Sequence, residues 1–167
     1  MIQGSIKRDK KSFDRRQFCT FYIAQRLFGV NITDVKDIQP PVKFTPVFHA
    51  VKEVKGFVNI RGHIHLVIDL RRLLGFGGKD IDKLNQIVLF KPHVGESFGI
   101  LVDSVGDVVE VGEDRVENLG EKGHEIMEGG MQDASDLITG VCKLKDELLM
   151  ILDSPVLIEK IRKMHSS

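Results

Sequence analysis

Short runs of alternating apolar and polar residues, separated by turn residues, make up most of this chain. The clearest is Lys55 to Gly75, KGFVNIRGHIHLVIDLRRLLG. Phe57, Val58 and Ile60 lead into Arg61-Gly62, where glycine supplies the backbone freedom of a sharp reversal. The return segment puts Ile64, Leu66 and Ile68 on one face and His63, His65, Val67 and Asp69 on the other. A helical turn over Leu70–Leu74 then stops at Gly75. Gln17 to Ala24 (QFCTFYIA) is apolar on both faces and reads as a strand buried on two sides. A tight connection at Gln25-Arg26 returns it through Leu27–Val30. Asn31 is placed to cap a short helix, with Asp34 in its first turn and Val35 and Ile38 on one side, ended by Pro40-Pro41. Val42–Val47, Asn85–Lys91, Ser97–Val105 and Asp107–Val111 read as further extended segments. Leu137–Leu144 and Glu147–Leu152 read as a hairpin across Lys145-Asp146. The closing DSPVLIEKIRKM reads as a helix capped by Asp153 or Ser154, with Pro155 in its first turn and Val156, Leu157, Ile161 and Met164 as its apolar stripe. About ten short strands with few helices point to an all-β barrel or sandwich.

Size and charge narrow the class. The 167 residues fit one domain or two small subdomains sharing a core. No apolar run reaches the ~18 residues of a membrane span, and MIQGSIKRDKKSFDRRQ lacks the apolar centre of a signal peptide. A cytoplasmic location is therefore expected, with no direct membrane insertion. Net charge is zero but uneven. Residues 1–16 hold six bases against two acids, and residues 110–136 hold nine acids against two bases. The first block is expected to be a mobile tail. Residues 112–136, acidic and glycine-rich, are expected to form an exposed excursion. A nucleic-acid interface would need a broad basic footprint with stacking aromatics; the tail has only Phe13. Cys19 and Cys142 lie in apolar segments and read as free buried thiols.

Several motifs carry possible chemistry. Gly95-Glu96-Ser97-Phe98-Gly99 matches the G-x-S-x-G nucleophile elbow, with Asp103 and His124 in the hydrolase chain order. That chemistry needs a strand, a sharp turn at Ser97 and then a helix, yet FGILVDSV reads as a strand. His63 and His65 share a strand face, but a closed zinc site needs about four ligands. Arg61 is the stronger candidate, a permanent cation beside a turn glycine, able to grip carboxylates or brace the turn. Asp37 is its expected partner, in a surface ion pair worth at most about 1 kcal/mol.

Four ordered segments add a resemblance. FCTFYIAQRLFGVNITDVKDI, KGFVNIRG with VIDLRRLLG, FGILVDSVGDVVEV and ITGVCKLKDELLMILD resemble successive signatures of the CheW family of chemotaxis adaptors, over about Phe18 to Met164. The resemblance implies two SH3-like, five-stranded β-barrel subdomains side by side and intertwined within residues 17–165, with a short helix after the second strand and a C-terminal helix. It implies no catalysis and no cofactor. It implies coupling of chemoreceptor cytoplasmic hairpin tips to the regulatory domain of a CheA-type histidine kinase, with recruitment to membrane receptor arrays. Carried over by position, the receptor-facing residues are Val35, Asp37, Arg61, Ile87 and Val108, with Gly56 and Gly62 shaping the loop. Leu66, His63, His65 and Asp37 depart from the family's usual residues, which leaves room for a scaffold serving another motility or two-component pathway. A serine hydrolase using Ser97 is the alternative of a different class.

Overall fold

The computed structural model describes residues 14–119 and 132–166. The expected tail over residues 1–13 and the centre of the acidic segment, residues 120–131 with His124, lie outside the described residues.

β1 (Arg15–Ile23) and β2 (Arg26–Asn31) form an antiparallel hairpin. Its two-residue turn is Ala24-Gln25, both left-handed (φ 50° and 66°), the geometry that matches the right-handed twist of the flanking strands. The turn falls one residue earlier than the sequence reading placed it, and β1 starts at Arg15, inside the stretch expected as tail. Both faces of β1 are buried as expected. Cys19, Phe21 and Ile23 enter one apolar cluster, while Phe18 enters another.

After β2 the chain makes one 3-10 turn, Ile32–Asp34, and then β3 (Val35–Gln39). The helix expected here is therefore only that turn. Asn31 makes no side-chain capping bond, and β3 finds its backbone partners on β6 (Gln86–Phe90), which suits β-branched Val35 and Ile38. The extended piece expected at Val42–Val47 shrinks to one bridge, Thr45 with Phe57, closed by two 2.8 Å backbone hydrogen bonds.

β4 (Val54–Ile60) and β5 (His63–Asp69) are the expected hairpin. α1 (Leu70–Leu73) follows, with the Asp69 carboxylate accepting from the Arg72 N–H at 3.3 Å. β7 (Phe98–Val102) and β8 (Ser104–Gly112) come next. Beyond β8 the chain is mostly exposed as far as Asn118, yet it has regular structure. A 3-10 turn (Glu113–Arg115) leads to β9 (Val116–Asn118), which pairs with β10 (Ile138–Lys143), and Leu119 is buried. Backbone pairing with β10 orders this stretch despite its acidity. A 3-10 segment (Gln132–Leu137) precedes β10. β11 (Leu148–Leu152) completes the second expected hairpin. In α2 (Ser154–Ser166) the Asp153 carboxylate accepts from the Val156 N–H at 3.3 Å, and Leu157, Ile158 and Ile161 are buried.

The described strands make two sheets. One is six-stranded, in the order β8-β1-β2-β11-β10-β9; the other is five-stranded, in the order β3-β6-β7-β5-β4. β2 with β11 and β5 with β7 are the parallel pairs. The five-stranded sheet is built entirely from the chain between β2 and β8. Each sheet has an apolar cluster of its own: Phe18, Leu27, Val111, Cys142, Leu149 and Ile151 in the first, and Val58, Ile60, Val67, Ile87, Leu89 and Leu101 in the second. A larger third cluster draws on both sheets and on α2, with Phe90 and Phe98 stacked at 4.7 Å. Cys19 and Cys142 are free and buried, and burial pushes the Cys19 thiol pKa up.

One polar node links the two sheets. Asp103, between β7 and β8, accepts from Arg71 of α1 at 2.7 Å and from the Ala24 N–H of the β1–β2 turn at 2.9 Å, through the same carboxylate oxygen. Its own N–H donates to the Tyr22 carbonyl at 3.1 Å.

Candidate functional site

The β4–β5 turn presents Arg61. Arg61 (φ 53°) and Gly62 (φ 85°) are both left-handed, as a two-residue hairpin turn of this kind requires. Asn59 holds the turn from beneath, its side-chain oxygen accepting from the Gly62 N–H at 2.9 Å. The Arg61 side chain is left 79% exposed, with its Nη1 3.8 Å from Asp37 Oδ2.

Asp37 is set on β3 by short-range bonds. Its Oδ1 accepts from the Ile38 N–H at 2.8 Å, and its Oδ2 accepts from Gln39 Nε2 at 2.5 Å. These fix the carboxylate facing Arg61, and the expected ion pair forms. It has a geometric meaning too. β3 and β4 are opposite edges of the five-stranded sheet, so contact between Asp37 and the β4–β5 turn means that the sheet curls until its edges approach.

Gly56 shapes the other end of β4. It is buried at φ 148°, where a Cβ would lie 2.6 Å from the Thr45 carbonyl oxygen. The close approach of the Thr45 bridge thus depends on glycine at this position.

The remaining expected residues divide. Val35 is half-buried at the start of β3 and packs against the shared core. Val108 is 58% exposed on β8, in the six-stranded sheet. Ile87, expected to face a partner, is fully buried in the five-stranded sheet's own cluster, because β6 lies between β3 and β7 with its side chains packed on both faces. Sequence reasoning missed Asn59, whose position three residues before Gly62 is the signal of a side chain bonding back to a turn. It also missed the Arg71–Asp103 node, since nothing local joins residues so far apart.

The chemical motifs resolve into structure. Ser97 does have a left-handed φ of 53°, but β7 follows at once, and the Ser97 carbonyl accepts from the Leu66 N–H at 2.8 Å. Asp103 is engaged by Arg71 and Ala24 instead. G-x-S-x-G is here the entry to a strand, so the context that a nucleophile elbow needs is missing. Among the described residues no group of three or more His, Cys, Asp or Glu is placed to hold a metal ion, and no helix is long and apolar enough to cross a membrane.

Comparison with known proteins decides the family. The model of the CheW-like domain matches residues 17–162. The chain belongs to the CheW family. A chemotaxis protein CheW of Bacillus subtilis (strain 168) is 28% identical over 140 residues, covering 84% of this chain and 85% of that relative. A chemotaxis protein CheW of Klebsiella aerogenes is 26% identical over 146 residues, covering 87% and 81%. The crystal structure of the scaffolding protein TtCheW from Thermoanaerobacter tengcongensis superposes with a TM-score of 0.70 at 25% identity, covering 83% of this CheW-family chain and 88% of that one.

Proposed function

We propose that this CheW-family chain is a chemotaxis adaptor that couples the cytoplasmic tips of chemoreceptors to a CheA-type histidine kinase, by recognition and without catalysis. The observation that carries the reading is the family match across residues 17–162, joined to a solvent-exposed Arg61 held over Asp37 at one corner of the fold. An adaptor needs preformed surfaces rather than a reactive centre, and Arg suits carboxylate-bearing helical partners through its planar fork.

In this reading the two sheets are open, SH3-like barrels, and the curling marked by the Asp37–Arg61 contact supports it for the five-stranded one. The receptor hairpin lies along the groove between them. Asp37 and Arg61 set its register, Val35 and Val108 offer apolar contact, and Gly56 and Gly62 hold the loop in shape. Kinase contact falls to exposed apolar strand residues, for which Phe57 and Ile64 on the β4–β5 hairpin are available. The protein works in the cytoplasm, recruited to receptor arrays.

Titration calorimetry tests this in two arms. The first titrates the protein against the regulatory domain of a CheA-type kinase of the same genome, where a saturable complex is expected. The second compares it with Arg61→Ala against a receptor tip hairpin. The substitution is expected to weaken the tip about tenfold or more, in the range of an interfacial arginine anchor, and to leave kinase affinity unchanged. Absence of binding to every kinase regulatory domain in that genome would sink the reading.

A further inference from the structure

His65 is out of place for an imidazole. It lies on the face of β5 that turns into the curled sheet, directly across from Val58 of β4, and is only 5% exposed. Ile60 and Val67 are its neighbours on that inner face, and the cluster beyond adds Ile87, Leu89 and Leu101, none of them titratable. Its Nδ1 lies 3.2 Å from the His63 carbonyl oxygen; a neutral ring with the proton on Nδ1 donates there. Burial, first of all, holds its pKa below the ordinary histidine value. The hydrogen bond to His63 works against this, and Lys36 of β3 and the ring of His63 lower it further.

The position matters because of what stands next to it. Lys36 adjoins Asp37, and His63 adjoins the Arg61-Gly62 turn. By register the ring lies two residues inside the end of the β4–β5 hairpin, behind the 3.8 Å and largely exposed ion pair by which Asp37 of the β3 edge meets Arg61. A contact that weak offers little resistance to a new charge behind it.

We propose that His65 is an acid-sensitive latch: a proton taken from solvent onto its Nε2 puts a cation inside the mouth of the sheet, facing Lys36, and parts the two edges that Asp37 and Arg61 hold together. His93 lies 2.9 Å from Asp34, in the 3-10 turn that precedes β3, and is the histidine whose response must be told apart from the latch.

The test is a histidine-resolved NMR titration of the full chain from about pH 8 down to about pH 4.5, which extends the ordinary histidine window downward because burial lowers the pKa of His65. The ring signals of His63, His65 and His93 are followed beside the backbone amides of Asp37 and Gly62. The expected result is that both amides shift with the midpoint of His65, and that this response is lost in His65→Gln but kept in His93→Gln. Should the glutamine variant not fold, His65→Leu, which suits the apolar mouth, replaces it. Amides that stay still, that follow His63 or His93, or that still respond without His65 overturn the proposal. This readout uses the protein alone, so it stands apart from the adaptor reading. Only its consequence, loss of receptor-tip affinity in acid that His65→Gln abolishes, rests on that reading.

Discussion

Replacing Asp103 by alanine should do more damage than any other single change outside the apolar core. The carboxylate is 17% exposed and its partner Arg71 is 23% exposed. The same oxygen satisfies the Ala24 N–H in a turn whose two residues are both left-handed. Arg71 Nε already has no hydrogen-bond partner, so in the variant the guanidinium would lose its carboxylate as well. Removing one member of a buried pair costs about 3–5 kcal/mol, and partial exposure places this pair at the lower end. The orphaned turn amide adds about 1 kcal/mol, for a total of about 3–4 kcal/mol. Arg71→Met with Asp103→Ala together should recover about 1–2 kcal/mol of that loss, because the stranded charge is gone while the turn amide is still unpaired. Urea unfolding of the wild type, both single variants and the double variant, at unchanged m-value, measures this directly. A loss below about 1 kcal/mol for Asp103→Ala, or strict additivity in the double variant, would refute the claim that this node binds the two sheets.

Other outcomes follow from the same geometry. Gly56→Ala should cost about 2–3 kcal/mol, since backbone strain adds to the clash with Thr45. Gly62→Ala has open space for its methyl and should cost only about 1 kcal/mol; equal losses in thermal unfolding would contradict this. Burial, against the Arg72 N–H and nearby cations, raises the Asp69 carboxyl pKa above its usual 3.8. The folded state therefore binds the proton more tightly, so this group's contribution to stability falls as pH rises from 3.8 through the folded value. Asp69→Asn keeps a cap for α1 and should leave stability at pH 7 unchanged or slightly higher, while flattening the acid side of the stability profile. A loss above about 1 kcal/mol at neutral pH, the usual cost of deleting a cap, would count against it. Ile87→Ala should cost about 2–5 kcal/mol as a core cavity without changing receptor-tip affinity of the folded fraction; a selective binding defect would return Ile87 to the interface.

What could be read from sequence follows the range of the interactions. The two hairpins, the capped terminal helix and the buried first strand rest on alternation and turn chemistry within a few residues, and all are present. Asp37 and Arg61 were legible as partners because each stands at a marked place, one after a capping pattern and the other before a turn glycine. The segment after Asn31 failed because cap residues fit a helix start and a 3-10 turn equally; only pairing with β6, some fifty residues later, makes Val35–Gln39 a strand. β9 failed because three residues between acidic neighbours show no period, and its partner strand decides it. The burial of Ile87 was not legible, because a position carried over from a family brings no burial with it. Of β6 only Gln86 is not fully buried, so alternation could not mark an outward face there.

The parallel pairing of β2 with β11, in which Gly29 lies opposite Ile151, sets a timetable for synthesis. Residues 35–102 emerge as a contiguous block and can close their own sheet while translation continues. The hairpin made first must wait for the strand made almost last. At the usual ~5–20 residues per second, the intervening chain takes about 6–24 seconds to appear. For that time one edge of β2 is unpaired, with Leu27, Phe28 and Val30 deprived of the cover that β11 brings. A nascent chain that stalls before Leu148 would thus present a finished half beside an open apolar edge, the kind of surface that chaperones and proteases recognise.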